Sequence, residues 1–575
     1  MHNKQIASML EQIAYMLELD ERKDRFFEIR AYRKAALTIG TMQEEVEEIF
    51  KKGGISALLE LQGVGQGIAK SIQELLTTGK MEKFEDLKEK YPIDFENLMK
   101  IPNFGAKRAF TLYKELGIKD VNSLKAALDS HKIRELKGFG EKSEAELAKG
   151  MQFMENSEKR MPLGDALPIA ESIIKKIRGS GLAENVALAG SSRRWRETVG
   201  DLDILIVAEE NPDLTRFLTK MEEVESVIVS GPTKVSVRLT AGLSCDFRVI
   251  KKSSFGAALQ YFTGSKNHGV EVRKIAVKKG YSLNEYQLSG KEGKNLASET
   301  EEEIYNALGL QYVEPEMREA HGEVELAQQG KLPKLVERKD ITADLHLHSK
   351  YTDGADKIIE MATHAAKLGY EYMGMTDHSK SERQARGMND EQFAQYFSEI
   401  DKVNDELEGK IKVLKSGEID ILKDGSLDLL DKTMDMMDYT LCSIHNNLEM
   451  PKEEMTKRVI TAIESGYVNI LAHPTARLIN EREPIAIDLD KVFEAAEANN
   501  VALEINAFPS RLDLNDENIF KARKYKVKFA INTDSHRQFH MDFMKYGIGT
   551  ARRGWLEKSS IINTFSMKKF LSAIK

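Results

Sequence analysis

Two aspartates at the head of an apolar run, Asp201 and Asp203 in GSSRRWRETVGDLDILIV (Gly190–Val207), are the residues whose type and spacing best suit chemistry. In an extended strand alternate side chains share a face, so the two carboxylates project together while Leu202 and Ile204 turn the other way. Two carboxylates on one face can grip a divalent metal. A bare Asp-x-Asp is most often a surface pair in a turn. Here the Gly-Ser turn and the arginine pair upstream point instead to nucleotide transfer. A two-metal phosphoryl transfer must hold both the attacking and the leaving oxygen, which calls for a third carboxylate on a neighbouring strand. Asp246 in SCDFRVI (Ser244–Ile250) fits that need. Metals roughly 3.5–4 Å apart would lower the pKa of an attacking hydroxyl and neutralise a leaving pyrophosphate, and Mg2+ prefers such oxygen ligands.

A second set of ligand types lies beyond residue 340, where eight of the twelve histidines fall. Seven apolar runs alternate there with helical stretches, near Ile341–Leu347, Tyr370–Met375, Lys412–Leu414, Tyr439–Cys442, Val468–Leu471, Val501–Ile505 and Val527–Ile531. This rhythm predicts a barrel of parallel strands. Nearly every run ends in a potential ligand: His346, His348 and Asp353, then His378, Glu418, His445, His473, and finally Asp534 and His536. The C-terminal ends of barrel strands meet around one mouth, and the i, i+2 pairs His346/His348 and Asp534/His536 can each aim two side chains inward. Imidazole with carboxylate suits Mn2+, Zn2+ or Fe2+, and the residues do not choose among them. His364 and His540 fall outside the pattern.

Stepping upstream, three segments repeat an apolar residue, a Gly-x-Gly-like turn and a new helix: LQGVGQGIAKSI (Leu61–Ile72), IPNFGAKRAFTL (Ile101–Leu112) and LKGFGEKSEAEL (Leu136–Leu147). They resemble helix-hairpin-helix units. Glycines such as Gly63, Gly65, Gly105, Gly138 and Gly140 let backbone approach a phosphate, and the following helix N-terminus offers amides and a positive dipole. Such contacts position DNA without reading its sequence.

Together with YFTGSKNHGVEVRKIAVKKGYSLNEY (Tyr261–Tyr286), the aspartate motifs resemble the palm and thumb of family X DNA polymerases, the relatives of DNA polymerase beta. The resemblance implies that Asp201, Asp203 and Asp246 hold the catalytic metals, with Asp246 where the primer-terminus proton is taken. It implies that Ser191, Arg194 and Arg160 hold the incoming triphosphate, and that Tyr261, Phe262 and Gly264 form the turn that packs on the nucleotide sugar. Arg273 takes the position of a template-strand contact. Gly269 departs from the family, whose vertebrate members carry a base-contacting Asn. In the first hairpin region, around AYRKAA (Ala31–Ala36), Ser71 stands in place of the family's Schiff-base lysine, and Glu28 and Gly67 replace phosphate-contacting lysines. A hydroxyl cannot form an imine, so no efficient lyase activity is expected.

The histidine-rich half resembles the polymerase-and-histidinol-phosphatase (PHP) domain, a distorted seven-stranded barrel whose members bind up to three metals. All nine ligand positions are filled, with Glu418 as the bridging carboxylate. Fused to family X, this domain implies a Mn2+-dependent 3′–5′ exonuclease and cleavage at abasic sites. The expected architecture is multidomain α+β and α/β: helix-hairpin-helix region 1–90, helical fingers-like domain 91–158, palm 159–250, thumb 251–310, an exposed linker 311–340 and a PHP barrel 341–575.

Composition fits this reading. At 575 residues and 41% hydrophobic content the chain can bury several cores. The net charge of −8 is unevenly spread, about +3 over residues 1–300 and −11 over 301–575, so the front half keeps basic patches for phosphates. Cys245 and Cys442 imply no disulfide framework, and no apolar run reaches the roughly 20 residues of a membrane span. The expectation is a cytoplasmic monomer acting on gapped or nicked duplex DNA and deoxynucleoside triphosphates. The competing readings are a template-independent terminal transferase, a DNA-binding scaffold with an inert palm, and a barrel that hydrolyses a small phosphate ester.

Overall fold

The computed structural model describes residues 3–19, 25–42, 45–61, 63–101, 104–158, 160–290 and 293–574. The chain divides into two compact units, Met1–Lys159 and Arg160–Lys575. None of the described helices is long and apolar enough to cross a membrane.

The first unit is helical. Its opening helix, Asn3–Leu17, places Ile6, Leu10, Ile13, Ala14 and Leu17 at three- and four-residue spacing, and all five are fully buried. From there one apolar core runs on to Met154. Each fully buried large aliphatic side chain in it contributes roughly 1.5–3 kcal/mol. Helices Gln66–Thr78 and Ala106–Leu116 are N-capped by Gly65 and Gly105, so no cap side chain occupies their first amides. Helix Glu141–Glu158 follows Gly140 in the same way. Val64 and Phe104, the apolar residues of the first two turns, are buried and anchor them. Gly63 has φ +83°, and a Cβ there would stand 2.7 Å from Lys34 Cγ, so the turn needs glycine twice over. Gln62, Pro102 and Asn103 lie outside the described residues.

In the second unit the palm is a five-stranded sheet of β1 (Asn185–Leu188), β2 (Asp201–Val207), β3 (Val224–Ser230), β4 (Lys234–Leu239) and β5 (Ser244–Ile250). Their spatial order is β1–β2–β5–β4–β3, with β2 and β5 parallel and the other pairs antiparallel. The alternation expected for β2 is present: Leu202, Ile204 and Ile206 pack with helices Leu163–Gly179 and Pro212–Thr219, while Leu205 faces Ala258 and Leu259 on the opposite side. The thumb helices Phe255–Thr263 and Lys266–Lys278 continue from the sheet.

The barrel comprises β6 (Ala343–Leu347), β7 (Tyr372–Met375), β8 (Lys412–Lys415), β9 (Glu418–Asp420), β10 (Leu441–Ser443), β11 (Ile470–Leu471), β12 (Ala502–Asn506) and β13 (Phe529–Asn532). All pairs are parallel, in two sheets ordered β6–β7–β8 and β9–β10–β11–β12–β13. Bridges Leu347–Ser535 and His378–Glu418 join the sheets at both ends. The expected third run, near Lys412–Leu414, forms β8 on β7, and after a break at Ser416–Gly417 the chain continues as β9, which pairs with β10. Gly417 is packed against the Phe393 ring, where a Cβ would come within 2.8 Å.

The segment from Gln311 to Asp340 is not the exposed linker expected from its polar composition. Arg318 is fully buried, donating to Glu301 (2.5 Å) and the main chain of Val313 (2.9 Å), between the rings of Tyr305 and Tyr312. Its apolar residues Val313, Met317, Val324 and Leu335 join the thumb core, together with Trp555 of the barrel. Likewise Ile479, Leu512 and Tyr546 of the barrel lie in the palm core. Palm, thumb and barrel therefore share apolar interiors.

Candidate active sites

In the palm, parallel pairing of β2 with β5 sets Asp203 opposite Asp246 and Asp201 opposite Ser244. Asp201 is exposed and Asp203 half-buried. Burial, with the negative charges of Asp201 and Asp246, pushes the Asp203 carboxyl up to about 6. This mutual repulsion is what a bound cation would relieve. Asp246 is held differently: Ser236 donates to it (2.6 Å) and Lys234 pairs with it (2.9 Å). Burial opposes its ionisation, but these partners bring it below the usual carboxylate range. Gly190, at φ +63°, is packed so closely that a Cβ would stand 2.3 Å from Asp203 Oδ2. The Gly-Ser turn thus lies directly on the trio.

The residues expected to hold nucleotide gather around that turn. Ser191 lies in the short helix Gly190–Arg193. Arg160 donates to Thr198 Oγ1 (3.0 Å) and the Thr198 carbonyl (2.5 Å), close enough to Asp201 to feel its charge. Arg194 donates to the Thr263 carbonyl (2.5 Å) and to Glu319 (3.0 Å), while Arg193 ties Thr263 Oγ1 (2.6 Å) to Glu301. The turn carrying Tyr261, Phe262 and Gly264 is thereby fastened to the Gly-Ser helix, and a Cβ on Gly264 would meet Arg194 at 3.3 Å. Tyr261 remains 44% exposed, and Phe262 lies under the Arg248 guanidinium. Arg273 sits on the thumb helix, folded over Gly269, where a Cβ would stand 3.2 Å from its Nη1.

At the barrel mouth all nine expected side chains converge. Glu418 Oε2 lies 3.3 Å from His346, 3.5 Å from His348 and 3.0 Å from His378, and Oε1 lies 3.3 Å from His445 and 2.8 Å from His473. Asp534 Oδ1 reaches His348 (3.2 Å) and His346 (3.6 Å), and Asp353 Oδ2 reaches His536 (3.2 Å) and His378 (3.6 Å). His346/His348/Asp534, His348/Asp353/His378/His536 and His378/Glu418/His445 each bring ligand atoms within 4.8 Å of one another. His473 and Asp534 have φ of +27° and +53°, a strained backbone for non-glycine residues that is typical of built sites.

The donor set fits metal ions. Among the described residues, buried imidazole nitrogens of His346, His348, His378 and His473 have no hydrogen-bond partner of acceptable geometry. Unpaired buried nitrogens beside carboxylates are costly unless a cation takes their lone pairs. Burial opposes ionisation of Glu418, yet His378, His346 and His445 hold it well below the carboxylate range. Burial and neighbouring His536 and His378 push His348 down to about 4, so it is a neutral ligand at pH 7.

Several participants were not singled out from sequence. Glu504 is fully buried and accepts from His346 Nδ1 (2.8 Å) and the His473 amide (2.8 Å). Asn506 donates to Asp534 (3.0 Å), and Asp420 lies 3.2 Å from His445 Nδ1. Such partners fix imidazole tautomers and carboxylate orientation. Their signal was polar residues at i, i+2 inside apolar strands, LEIN and GEID. In the first unit, Glu28 is ion-paired with Lys83, also unnoticed, and Arg33 with Glu18 (2.6 Å). Ser71 and the exposed Lys70 lie on helix Gln66–Thr78. His364 and His540 stay outside the metal-ligating groups, His540 stacking on Phe543.

The fold and these two constellations define a class: a nucleotidyltransferase palm built together with a metal-binding phosphoesterase barrel. Residues 258–319 match the DNA polymerase beta thumb family, residues 344–508 the PHP domain, residues 1–81 a helix-hairpin-helix domain and residues 95–150 a SAM-like helix-hairpin-helix tandem. Over its whole length, and the whole length of the relative, the chain is 38% identical to the DNA polymerase/3'-5' exonuclease PolX of Bacillus subtilis. It is 25% identical to DNA polymerase lambda of Arabidopsis thaliana over 50% of this chain and 57% of that protein. A probable phosphatase of Thermoanaerobacter is 28% identical over 39% of this chain and 91% of its own length. The chain belongs to the family X DNA polymerases that carry a C-terminal PHP domain.

Proposed function

We propose that this protein is a DNA-directed DNA polymerase that fills short gaps during repair, and that its barrel is a metal-dependent 3′–5′ exonuclease that also cleaves at abasic sites. The observation that carries this is two distinct constellations, the Asp203–Asp246 pairing in the palm and the Glu418-centred cluster in the barrel, within one folded unit. In the palm, Asp201, Asp203 and Asp246 hold Mg2+, and Asp246 takes the proton of the primer 3′-hydroxyl once Lys234 has moved off it. Ser191, Arg194 and Arg160 hold the triphosphate; Tyr261, Phe262 and Gly264 face its sugar; Arg273 meets the template strand. In the barrel, His346, His348, Asp353, His378, Glu418, His445, His473, Asp534 and His536 hold up to three ions of Mn2+, Zn2+ or Fe2+. Bound ions of this kind neutralise charge at phosphorus and make a hydroxyl or water more acidic. Glu504 and Asp420 keep His346 and His445 oriented throughout.

Gly63, Gly65, Gly105, Gly138 and Gly140 contact phosphates of gapped or nicked duplex at helix N-termini. We assign the divisions 1–90, 91–158, 159–250, 251–310 and 341–575 on the reading made from sequence, with 311–340 packed into the thumb core and not an exposed linker. The protein works as a monomer in the cytoplasm. In favour of a reducing compartment are its two buried free thiols, Cys245 and Cys442.

A gapped duplex labelled near its primer terminus tests the reading with wild type, Asp201→Ala/Asp203→Ala and His346→Ala/His348→Ala proteins. The first variant should lose extension and keep exonuclease, and the second the reverse. Loss of both activities in either folded variant would overturn it. The kinship with a probable phosphatase favours one second reading, a barrel acting on a small phosphate monoester. Faster hydrolysis of histidinol phosphate than of DNA would support that instead.

A further inference from the structure

The loops that leave the barrel's metal-ligating residues run directly onto the palm. Beyond His473, Arg477 pairs with Glu197 (2.6 Å) and the Asn480 amide donates to the Arg160 carbonyl (2.9 Å). Beyond Asn506, the Ser510 carbonyl accepts from the Ile479 amide (2.7 Å), the Arg511 carbonyl accepts from Arg477 (3.0 Å), and Pro509 fills the space beside Gly164. The mouth of the barrel and the Asp201 end of the palm sheet thus open onto one boundary.

Four arginines lie along it, Arg160 and Arg196 from the palm and Arg482 and Arg511 from the barrel. Their bonding differs from that of arginines with structural roles such as Arg553, which is locked to Asp516 at 2.6 Å and Glu319 at 3.0 Å. Arg482 donates to the Ala476 carbonyl (2.8 Å), and Arg160 to Thr198, so both spend their hydrogen bonds on neutral acceptors. Arg511 stands 3.6 Å from Asp534, and Arg196 3.7 Å from Glu319, beyond hydrogen-bond reach. Burial and then Arg196 make the charge on Arg160 harder to hold, as burial and then Arg511 do for Arg482. A row of mutually repelling, weakly paired cations is stabilised by a polyanion, and the guanidinium fork suits phosphate.

We infer that this row is a track for the single-stranded 3′ end of DNA, held by its phosphates as the terminus passes between palm and barrel. The track reads no bases, so it serves any sequence. The inference rests on the two activities proposed above, and its test separates the two ideas. Full-length protein is bound to a primer–template with one mismatched 3′ nucleotide, and reaction is started with metal, deoxynucleotides and excess unlabelled DNA as a trap. Wild type should excise and then extend without dissociating. Arg196→Ala/Arg482→Ala should form roughly ten-fold less of this coupled product, on loss of two phosphate contacts. Its excision of single strands and its extension of matched primers, each assayed alone at saturation, should stay near wild type. Arg196→Lys/Arg482→Lys should recover part of the coupling, and Arg196→Gln/Arg482→Gln replaces the alanine variant if that fails to fold. Undiminished coupling in the neutral variants, or a wild type that performs both activities yet never couples them under the trap, overturns the track. A wild type lacking one of the activities breaks the underlying functional reading instead.

Discussion

Palm and barrel both assemble carboxylates for phosphate chemistry, but they balance that charge in opposite ways. In the palm three aspartates face one another with no imidazole between them; Asp201 is exposed, and Asp203 is pushed up to about 6 by burial and its neighbours. In the barrel Asp353, Glu418 and Asp534 are interleaved with six histidines at 2.8–3.6 Å, and Glu504, Asn506 and Asp420 brace them. The palm set thus carries mutually repelling charge at Asp201 and Asp203, which fits the proposed binding of metal with nucleotide at each cycle. The barrel set is braced and mostly buried, with Asp353 its exposed member, which fits the proposed resident ions.

This contrast can be broken most sharply by Asp203→Ala, expected to lower extension on the order of 10³-fold or more while exonuclease stays within about two-fold, as measured on one gapped, labelled duplex. Glu418→Gln should mirror it, cutting exonuclease roughly 10²–10³-fold with loss of bound metal after desalting, read by elemental analysis. Retention of full metal content would show that Glu418 does not bridge. A finer probe is Glu504→Gln: weaker orientation of His346 should raise the metal concentration needed for exonuclease about 10–100-fold and leave the extension curve unmoved.

Asp203 also gives the comparison a pH axis. Its folded value of about 6 lies above the ordinary 3.8, so the metal-free fold binds a proton there more tightly than the unfolded chain does. The resulting stability is fully present below about pH 3.8 and is lost as pH rises through 6. In chelator at pH 8, Asp203→Asn should therefore be more stable than wild type by about 2 kcal/mol, and the gap should close near pH 4. Denaturant melts at both pH values check this; an equal gap at both would contradict it. The smallest signal belongs to Ser71: borohydride should trap no DNA adduct at an abasic terminus, and a covalent band would show that Lys70 or another amine serves.

Much of the site was readable in the sequence because its chemistry is locally encoded. The head of DLDILIV, Asp-Leu-Asp-Ile, alternates before a continuous apolar run, so the facing of Asp201 and Asp203 followed from strand geometry alone. The ligands at the ends of apolar runs were visible because barrel strands are short and each carries its own. What stayed hidden was set by partners distant in sequence. Glu504 reads as one polar residue in an apolar strand until His346, 158 positions earlier, is found against it. Gln311–Asp340 reads as solvated because Arg318 and Glu323 are charged; their burial depends on Glu301 and His268 waiting in the thumb.

The sequence by itself determined which carboxylates and imidazoles can share a face at each site, since residue identity and local period decide that, and its resemblance to family X and the PHP domain supplied the reaction at each. Only the tertiary structure decided that Asp246 stands beside Asp203, that the chain breaks at Ser416–Gly417 between β8 and β9, and that palm and barrel share a core through Ile479, Leu512 and Tyr546. Those outcomes rest on strand order and on burial between segments from tens to hundreds of residues apart, where no local period constrains the answer.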